Sequence, residues 1–252
     1  MLVLVLVIGF FEPSQQPSQS SAVSGQPLFR LPWSMADVIW LTRHGSRQDF
    51  VDADWHKTAE RPHDPPLSAE GLVQAEQLAW RLEPEGITAV FSSPFLRCLQ
   101  TAAPVANRLR LPIRVEPGFS EWLNPDWFPA PPQILPREAM VEHFPVVARD
   151  YSPQVHPTYP EDGETVLRRT AEAATGIAQA YPGTVLYVGH GATVYGSLYG
   201  LLGQSFAELE RTLGAIHYCC LFRVERRNGA WVLGLCGDTS HLGEGKGGER
   251  FH

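Results

Sequence analysis

Three short apolar runs, Val38-Ile39-Trp40-Leu41, Thr88 to Ser92 and Thr184 to Val188, each break into a polar segment containing Gly or Pro, with helix-like spacing further on. A run that is apolar at consecutive positions has no solvent face, so it reads as a strand buried on both sides. Such strands alternating with helices predict an α/β fold, a three-layer sandwich with a mainly parallel central sheet and helices on both faces. In sheets of this kind ligands bind beyond the carboxyl ends of the strands. The residues that follow each run are therefore the first place to look for chemistry.

The first run ends in Thr42-Arg43-His44-Gly45, and residues 46 to 67 form a polar, proline-containing loop. A helix follows, with Ser68 as its N-cap and Leu72, Ala75, Leu78, Ala79 and Leu82 at helical spacing. After the second run Ser93-Pro94 opens a helix to about Leu109, with Pro104 as a kink or early stop. Ile113-Arg114-Val115 is a brief strand, and residues 116 to 136 are too rich in proline for a core element. Helices are predicted over Arg137 to Ala148, Glu164 to Tyr181 and about Ala192 to Leu202. Cys219 to Val224 and Trp231 to Cys236 form a closing strand pair around Asn228-Gly229, a pair of residues suited to a hairpin turn. No internal repeat and no second core are visible, so one domain is placed over residues 35 to 240, with a flexible tail over 241 to 252.

The amino-terminal MLVLVLVIGFF is apolar, but its 11 residues fall short of the roughly 20 that a membrane helix needs. It lacks the leading positive residue of a signal peptide, and the Ser/Gln/Pro stretch after it cannot pack. Residues 1 to 34 are therefore expected to be a disordered linker or a mis-called extension, with Met35 as an alternative start. The four cysteines, Cys98, Cys219, Cys220 and Cys236, show no metal-ligand spacing and read as reduced thiols of a cytoplasmic protein. Cys219 and Cys220, as strand neighbours, should point to opposite faces. The net charge of −7 argues against nucleic acid as a partner, so an anionic substrate has to be captured by local cations.

Those cations are present at the predicted strand ends. His44 has Arg43 beside it, and Gly45 permits close approach of the backbone. Neutral imidazole is a competent nucleophile toward phosphorus, and the phosphoryl group under attack needs the permanently charged fork that arginine supplies. Arg97 lies in the first turn of a helix, where the free amides already favour an anion. His190, in Gly189-His190-Gly191, lies at another strand-to-helix switch and could donate a hydrogen bond to the same group.

Taken in order, Leu41-Thr42-Arg43-His44-Gly45, Leu67-Ser68-Ala69-Glu70-Gly71, Ser93 to Ala102 and Val188-Gly189-His190-Gly191 resemble the histidine phosphatase superfamily, also called phosphoglycerate-mutase-like. The resemblance spans about residues 36 to 237. It implies that His44 forms a phosphohistidine, that Arg43, Arg97 and His190 hold phosphate, and that no metal or other cofactor is needed. Arg47 and the segment Glu116 to Trp122 are similar to the branch with T-cell-signalling suppressor and ecdysteroid-phosphate phosphatases. That likeness implies Glu121 as proton donor and Arg47 as an added phosphate or substrate contact; Glu116 is the rival carboxylate. Phosphoglycerate mutases carry a Glu and an aromatic-Asn pair after Arg-His-Gly. Ser46-Arg47-Gln48-Asp49 stands there instead, so hydrolysis is expected over mutase-type transfer.

Trp55, His56, His63 and Asp64, with the segment Trp122 to Phe128, are expected to wall the pocket. Their aromatics suggest a sizeable or aromatic leaving group, such as phosphotyrosine or an aryl phosphate, and the expected partner is a small phosphomonoester or phosphotyrosine-like substrate. His217 is a further candidate for the edge of the site. Two other classes compete: a metallohydrolase using His44, His190, His217 and Asp49, and a catalytically silent phosphate-binding module. No H-x-H or H-E-x-x-H spacing supports the former. No membrane span is predicted, and a homodimer is left open.

Overall fold

A computed structural model describes residues 35 to 243. The expectations for residues 1 to 34 and for the end of the tail, 244 to 252, lie outside the described residues. The elements in chain order are β1 (Ala36–Arg43), α1 (Trp55–Thr58), α2 (Ala69–Leu82), β2 (Ile87–Ser92), α3 (Leu96–Leu109) and β3 (Ile113–Val115). They continue with α4 (Arg137–His143), α5 (Gly163–Ala180), β4 (Gly183–Gly189), α6 (Gly191–Leu202), α7 (Phe206–Leu213), β5 (Leu221–Arg227) and β6 (Ala230–Asp238). No helix among the described residues is long and apolar enough to cross a membrane.

One six-stranded sheet runs in the order β3-β2-β4-β1-β5-β6. The first four strands are parallel, and β5 and β6 complete the sheet antiparallel. Alternate side chains enter two separate cores. Trp40, Val90, Leu186 and Val188 pack with Leu78 and Leu82 of α2 and Leu99 and Val105 of α3. Ile39, Leu41, Phe91, Val185 and Tyr187 pack with Ala173 and Ile177 of α5 and Leu198 of α6. This is the sandwich the apolar runs predicted, and the reason they carry no polar alternation: both faces of each strand are covered. Burying each such side chain contributes about 1.5–3 kcal/mol.

Several element boundaries differ from the expectation, each for a physical reason. Pro104 does not stop α3, because Ala102, Val105 and Ala106 around it are fully buried and hold the helix together past the missing N–H. α4 ends at His143, five residues short of the expected Ala148. Its C-cap Phe144 precedes Pro145, and the residue before a proline is driven out of helical conformation. α7 went unanticipated, although Ser205 and Glu208 form a capping box at its start. In α2 the buried face uses Gly71 and Gln74, and Leu72 is 49% exposed.

Cys219 and Cys220 precede β5 rather than lying in it, Cys219 with a φ of 50°. They nevertheless enter opposite cores as expected. All four cysteines are free thiols, three of them buried. The β5–β6 turn has Asn228 at φ 52° and Gly229 at φ 86°, the left-handed pair that a two-residue hairpin needs.

Candidate active site

The carboxyl ends of β2, β4 and β1 are neighbours, and the main chain ties them together. The His44 amide donates to the Gly189 carbonyl at 2.9 Å, and the Ser93 amide to Val188 at 2.9 Å. Arg43 and His44 therefore leave β1 beside His190, which caps α6 after β4. The His44 and His190 rings lie 5.3 Å apart, edge to face.

The loop carrying His44 is held by α2 and α3. Gly45 N donates to Thr101 Oγ1 at 3.1 Å, Ser46 N to Gln74 Oε1 at 2.9 Å, and Ser68 N to the Ser46 carbonyl at 2.8 Å. Ser68 then caps α2 by accepting from Gly71 N. A Cβ on Gly71 would lie 2.2 Å from Ser46 O, and one on Gly45 would lie 2.8 Å from Gly71 O. The glycine of Leu67-Ser68-Ala69-Glu70-Gly71 thus lets the start of α2 touch the loop that presents His44.

His44 is fully buried. Its Nδ1 is 2.8 Å from the Gly45 carbonyl, which fixes the proton on that nitrogen because a carbonyl can only accept. Nε2 is left as an unprotonated, buried lone pair with no hydrogen-bond partner among the described residues. Burial, followed by the charges of Arg97, Arg43 and His190, pushes the imidazole pKa well below its usual value. His44 is consequently neutral at pH 7.

Arg97 is 1% exposed and extends from the first turn of α3, its guanidinium over the Phe95 ring at 4.6 Å. Its Nη2 lies 3.4 Å from Glu121 Oε2 and 3.2 Å from His190 Nδ1, while Nε and Nη1 have no hydrogen-bond partner among the described residues. Arg43 donates from Nη1 to the Ile216 carbonyl at 2.8 Å and stacks over Tyr218 at 4.6 Å. Tyr218 also flanks His44 at 5.7 Å. The contacts of this segment with Arg43 and His44 thus include the residues on either side of His217, which sequence reasoning had singled out.

His190 is fixed at both nitrogens. Ser93 Oγ lies 2.8 Å from Nε2 and Glu121 Oε2 lies 3.2 Å from Nδ1. A hydroxyl donating to Nε2 and a carboxylate accepting from Nδ1–H satisfy this arrangement together. Burial lowers the His190 pKa to about 4, with Glu121 opposing the shift. For Glu121, burial alone would raise the pKa, but His190, by charge and hydrogen bond, and Arg97 outweigh it. The carboxylate is held far below its ordinary range.

Glu116, the rival carboxylate, lies elsewhere. It is fully buried and accepts hydrogen bonds from the amides of Gly118, Gln154 and Val155 and from the Tyr151 hydroxyl. Arg47 is gripped by Asp49 through both Nε and Nη2 and stacks over Phe50 at 4.5 Å. A pocket of about 230 Å³ is lined by Arg47, Arg97 and Glu121 together with Phe50, Trp127 and Phe128. His63 and His56 reach its rim, His63 with its ring edge-on to Phe128. Asp64 instead is buried and caps α3 by accepting from Leu96 N at 2.8 Å.

Of the residues singled out from sequence, His44, His190, Arg97 and Glu121 converge directly, with Arg43 alongside and Arg47 in the adjoining pocket. Sequence reasoning missed Ser93 and Tyr218, whose roles depend on partners distant in the chain, and weighed Asp49 only as a metal ligand, whereas it grips Arg47. Among the described residues, the ligand atoms of His44, Glu121 and His190 lie within 4.8 Å of one another. Arg97 Nη2 lies within 3.4 Å of two of these residues, Glu121 and His190.

Sheet, strand ends and buried cations together define an α/β domain with a cationic site at the carboxyl edge of its sheet. The chain belongs to the histidine phosphatase superfamily, branch 1, whose family model matches residues 39–239. It is 33% identical over 146 residues to the transcription factor tau 55 kDa subunit of Saccharomyces cerevisiae, covering 52% of this chain and 31% of that protein. It is 32% identical over 264 residues to the mouse ubiquitin-associated and SH3 domain-containing protein A, covering 86% of this chain and 42% of that one. The chain thus spans less than half the length of either relative. The fold is similar to the crystal structure of the ecdysone phosphate phosphatase from Bombyx mori in complex with tungstate. There the TM-score is 0.68 at 22% identity, with 86% of this chain and 98% of that one covered.

Proposed function

We propose that this domain hydrolyses phosphomonoesters through a phosphohistidine formed on His44, with no metal ion. The observation that carries this reading is the His44 Nε2 lone pair, unprotonated, buried and without a partner beside two unused nitrogens of Arg97. A buried polar atom left unpaired costs free energy, so such a group is characteristic of a site awaiting a ligand. Each of those Arg97 nitrogens carries an N–H that can donate to a phosphate oxygen.

In this reading Arg43, Arg97 and His190 bind the phosphoryl oxygens and offset their charge as the ester bond loosens. Nε2 attacks in line. Glu121 protonates the departing oxygen and, once deprotonated, draws a proton from the water that hydrolyses the phosphohistidine. An incoming phosphate competes for the two groups that keep Glu121 ionised and adds negative charge beside it. Both effects raise the carboxyl pKa and favour the acid form when it is needed. Arg97, 3.4 Å from Glu121 and 3.2 Å from His190, makes the His44–Glu121–His190 group a poor cation site, which favours the metal-free reading. Phe50, Trp127 and Phe128 favour an aryl or similarly flat apolar leaving group, with Arg47 as an additional contact.

The test is hydrolysis of p-nitrophenyl phosphate in excess EDTA by the wild type and His44→Ala. Turnover that survives EDTA and is lost in the variant is expected. Sensitivity to EDTA would point to a metallohydrolase, and phosphate binding without turnover would point to a silent module.

A further inference from the structure

The segment that presents Glu121 has little regular structure of its own. Between β3 and α4 the chain makes a single 3-10 turn at Pro117–Phe119 before entering the proline-rich stretch. Its support comes instead from Arg169, on α5. Arg169 is 5% exposed and donates from all three guanidinium nitrogens to four residues. Nη1 donates to the carbonyls of Gly118 at 2.9 Å and Ser120 at 3.1 Å, and Nη2 donates to the carbonyl of Glu121 at 3.1 Å. Nε and Nη2 also grip Glu161, at 2.6 and 2.7 Å.

Glu161, 2% exposed, extends the same clamp one step further along the chain. Its Oε2 accepts from Leu123 N at 3.2 Å, its own amide donates to the Leu123 carbonyl at 3.0 Å, and its carbonyl accepts from Trp122 Nε1 at 2.9 Å. Trp122 in turn packs edge-on to Trp127 of the pocket wall at 5.1 Å.

We propose that the buried Arg169–Glu161 pair is a positioning device that holds the Glu121 carboxylate at the reacting oxygen and, through Trp122, the wall against which the leaving group rests. The proposal rests on Glu121 acting as the acid. A buried ion pair is weak support for a fold, since apolar replacements of similar volume often do as well. This pair is better explained by where its donors go. Three of the carbonyls it holds belong to the four residues ending at Glu121, and none belongs to the helix that carries Arg169. General-acid catalysis requires the donor within hydrogen-bond reach of the departing oxygen, so a displacement of about 1 Å is felt in rate.

A misplaced acid harms only those leaving groups that need a proton. The test therefore compares kcat/KM for phenyl phosphate, whose leaving group needs protonation, with that for dinitrophenyl phosphate, which departs unaided. The proteins are the wild-type chain, Arg169→Lys, Glu161→Gln, Glu121→Gln and His44→Ala. Arg169→Lys keeps the charge but loses the fork, and is expected to lose about tenfold or more on phenyl phosphate and under about threefold on dinitrophenyl phosphate. Combining it with Glu121→Gln should add little further loss on phenyl phosphate, because both changes disable one function. Glu161→Gln keeps the side-chain volume and carries the same test should Arg169→Lys not fold. An equal loss on both substrates, no loss on either, or additive losses in the double variant would overturn the proposal. Undiminished turnover by His44→Ala would instead sink the phosphohistidine reading itself, whatever Arg169 does.

Discussion

Gly71 lies so close to Ser46 that any side chain on it would strike the Ser46 carbonyl, its first carbon only 2.2 Å from the oxygen. The contact joins the start of α2 to the loop that aims His44. Gly71→Ala has to push the two apart, and the obstacle is main chain. We expect a stability loss of about 1–3 kcal/mol, as for other overpacked positions. Phosphatase activity of the protein that remains folded should fall about a hundredfold, because the nucleophile moves. Melting temperature and kcat/KM measured on the same preparation separate the two effects.

The two glutamates of this region should fail in opposite ways. Glu116→Gln strands the donors that converge on a buried carboxylate, and should lower stability by about 1–3 kcal/mol with turnover of the folded protein nearly intact. Glu121→Gln should fold and lose about 10²- to 10⁴-fold in rate on phenyl phosphate. Chemical denaturation beside steady-state kinetics checks both. A stable but inactive Glu116→Gln would reverse the assignment.

The pH profile follows from two lowered pKa values. His44 is held well below 6.5 by burial and its cationic neighbours, so the nucleophile stays neutral as pH falls through 6.5. Glu121 is ionised by His190 and Arg97, so the proton for the leaving group has to arrive with the substrate, whose phosphate titrates near about pH 6. kcat/KM should therefore rise as pH falls from about 8 to about 6, with the acid limb appearing well below 6.5. An acid limb centred near 6.5 would mean an unperturbed His44 and count against this geometry.

Leu72 and Leu78 sit six residues apart on α2 and look equally apolar in sequence. Leu78 is fully buried and Leu72 is 49% exposed. Leu78→Ala should cost about 2–5 kcal/mol, and Leu72→Ala no more than about 0.5 kcal/mol. Urea unfolding of the two variants decides it.

The sandwich was legible because both faces of its inner strands are covered, which leaves continuous apolar runs at Ile39 to Leu41 and Val185 to Val188. The grouping of Arg43, His44, Arg97 and His190 was legible for a related reason. Parallel strands all point their carboxyl ends the same way, so residues just after them gather without any knowledge of the loops. Leu72 misled because the helical stripe shifts by one position to admit Gly71 against Ser46, a contact between elements. The end of α4 was written in Phe144-Pro145, and the start of α7 in Ser205 and Glu208. Arg169, Glu161, Asp49 and Ser93 could not be assigned, because a charged or hydroxyl side chain carries no local mark of the distant carbonyl or imidazole it will meet.

The sheet order carries a consequence for how such a chain comes into being. β1 lies between β4 and β5, so the strand that bears Arg43 and His44 is synthesised first among the six. One of its edges waits for β4, which begins at Gly183, and the other for β5, which begins at Leu221. Through most of translation Ile39, Trp40 and Leu41 belong to an open apolar strand, the kind of segment that chaperones protect. The support that Ile216 and Tyr218 give to Arg43 comes later still than β4. A ribosome stalled at the end of α6 would hold all four sequence motifs and no finished site.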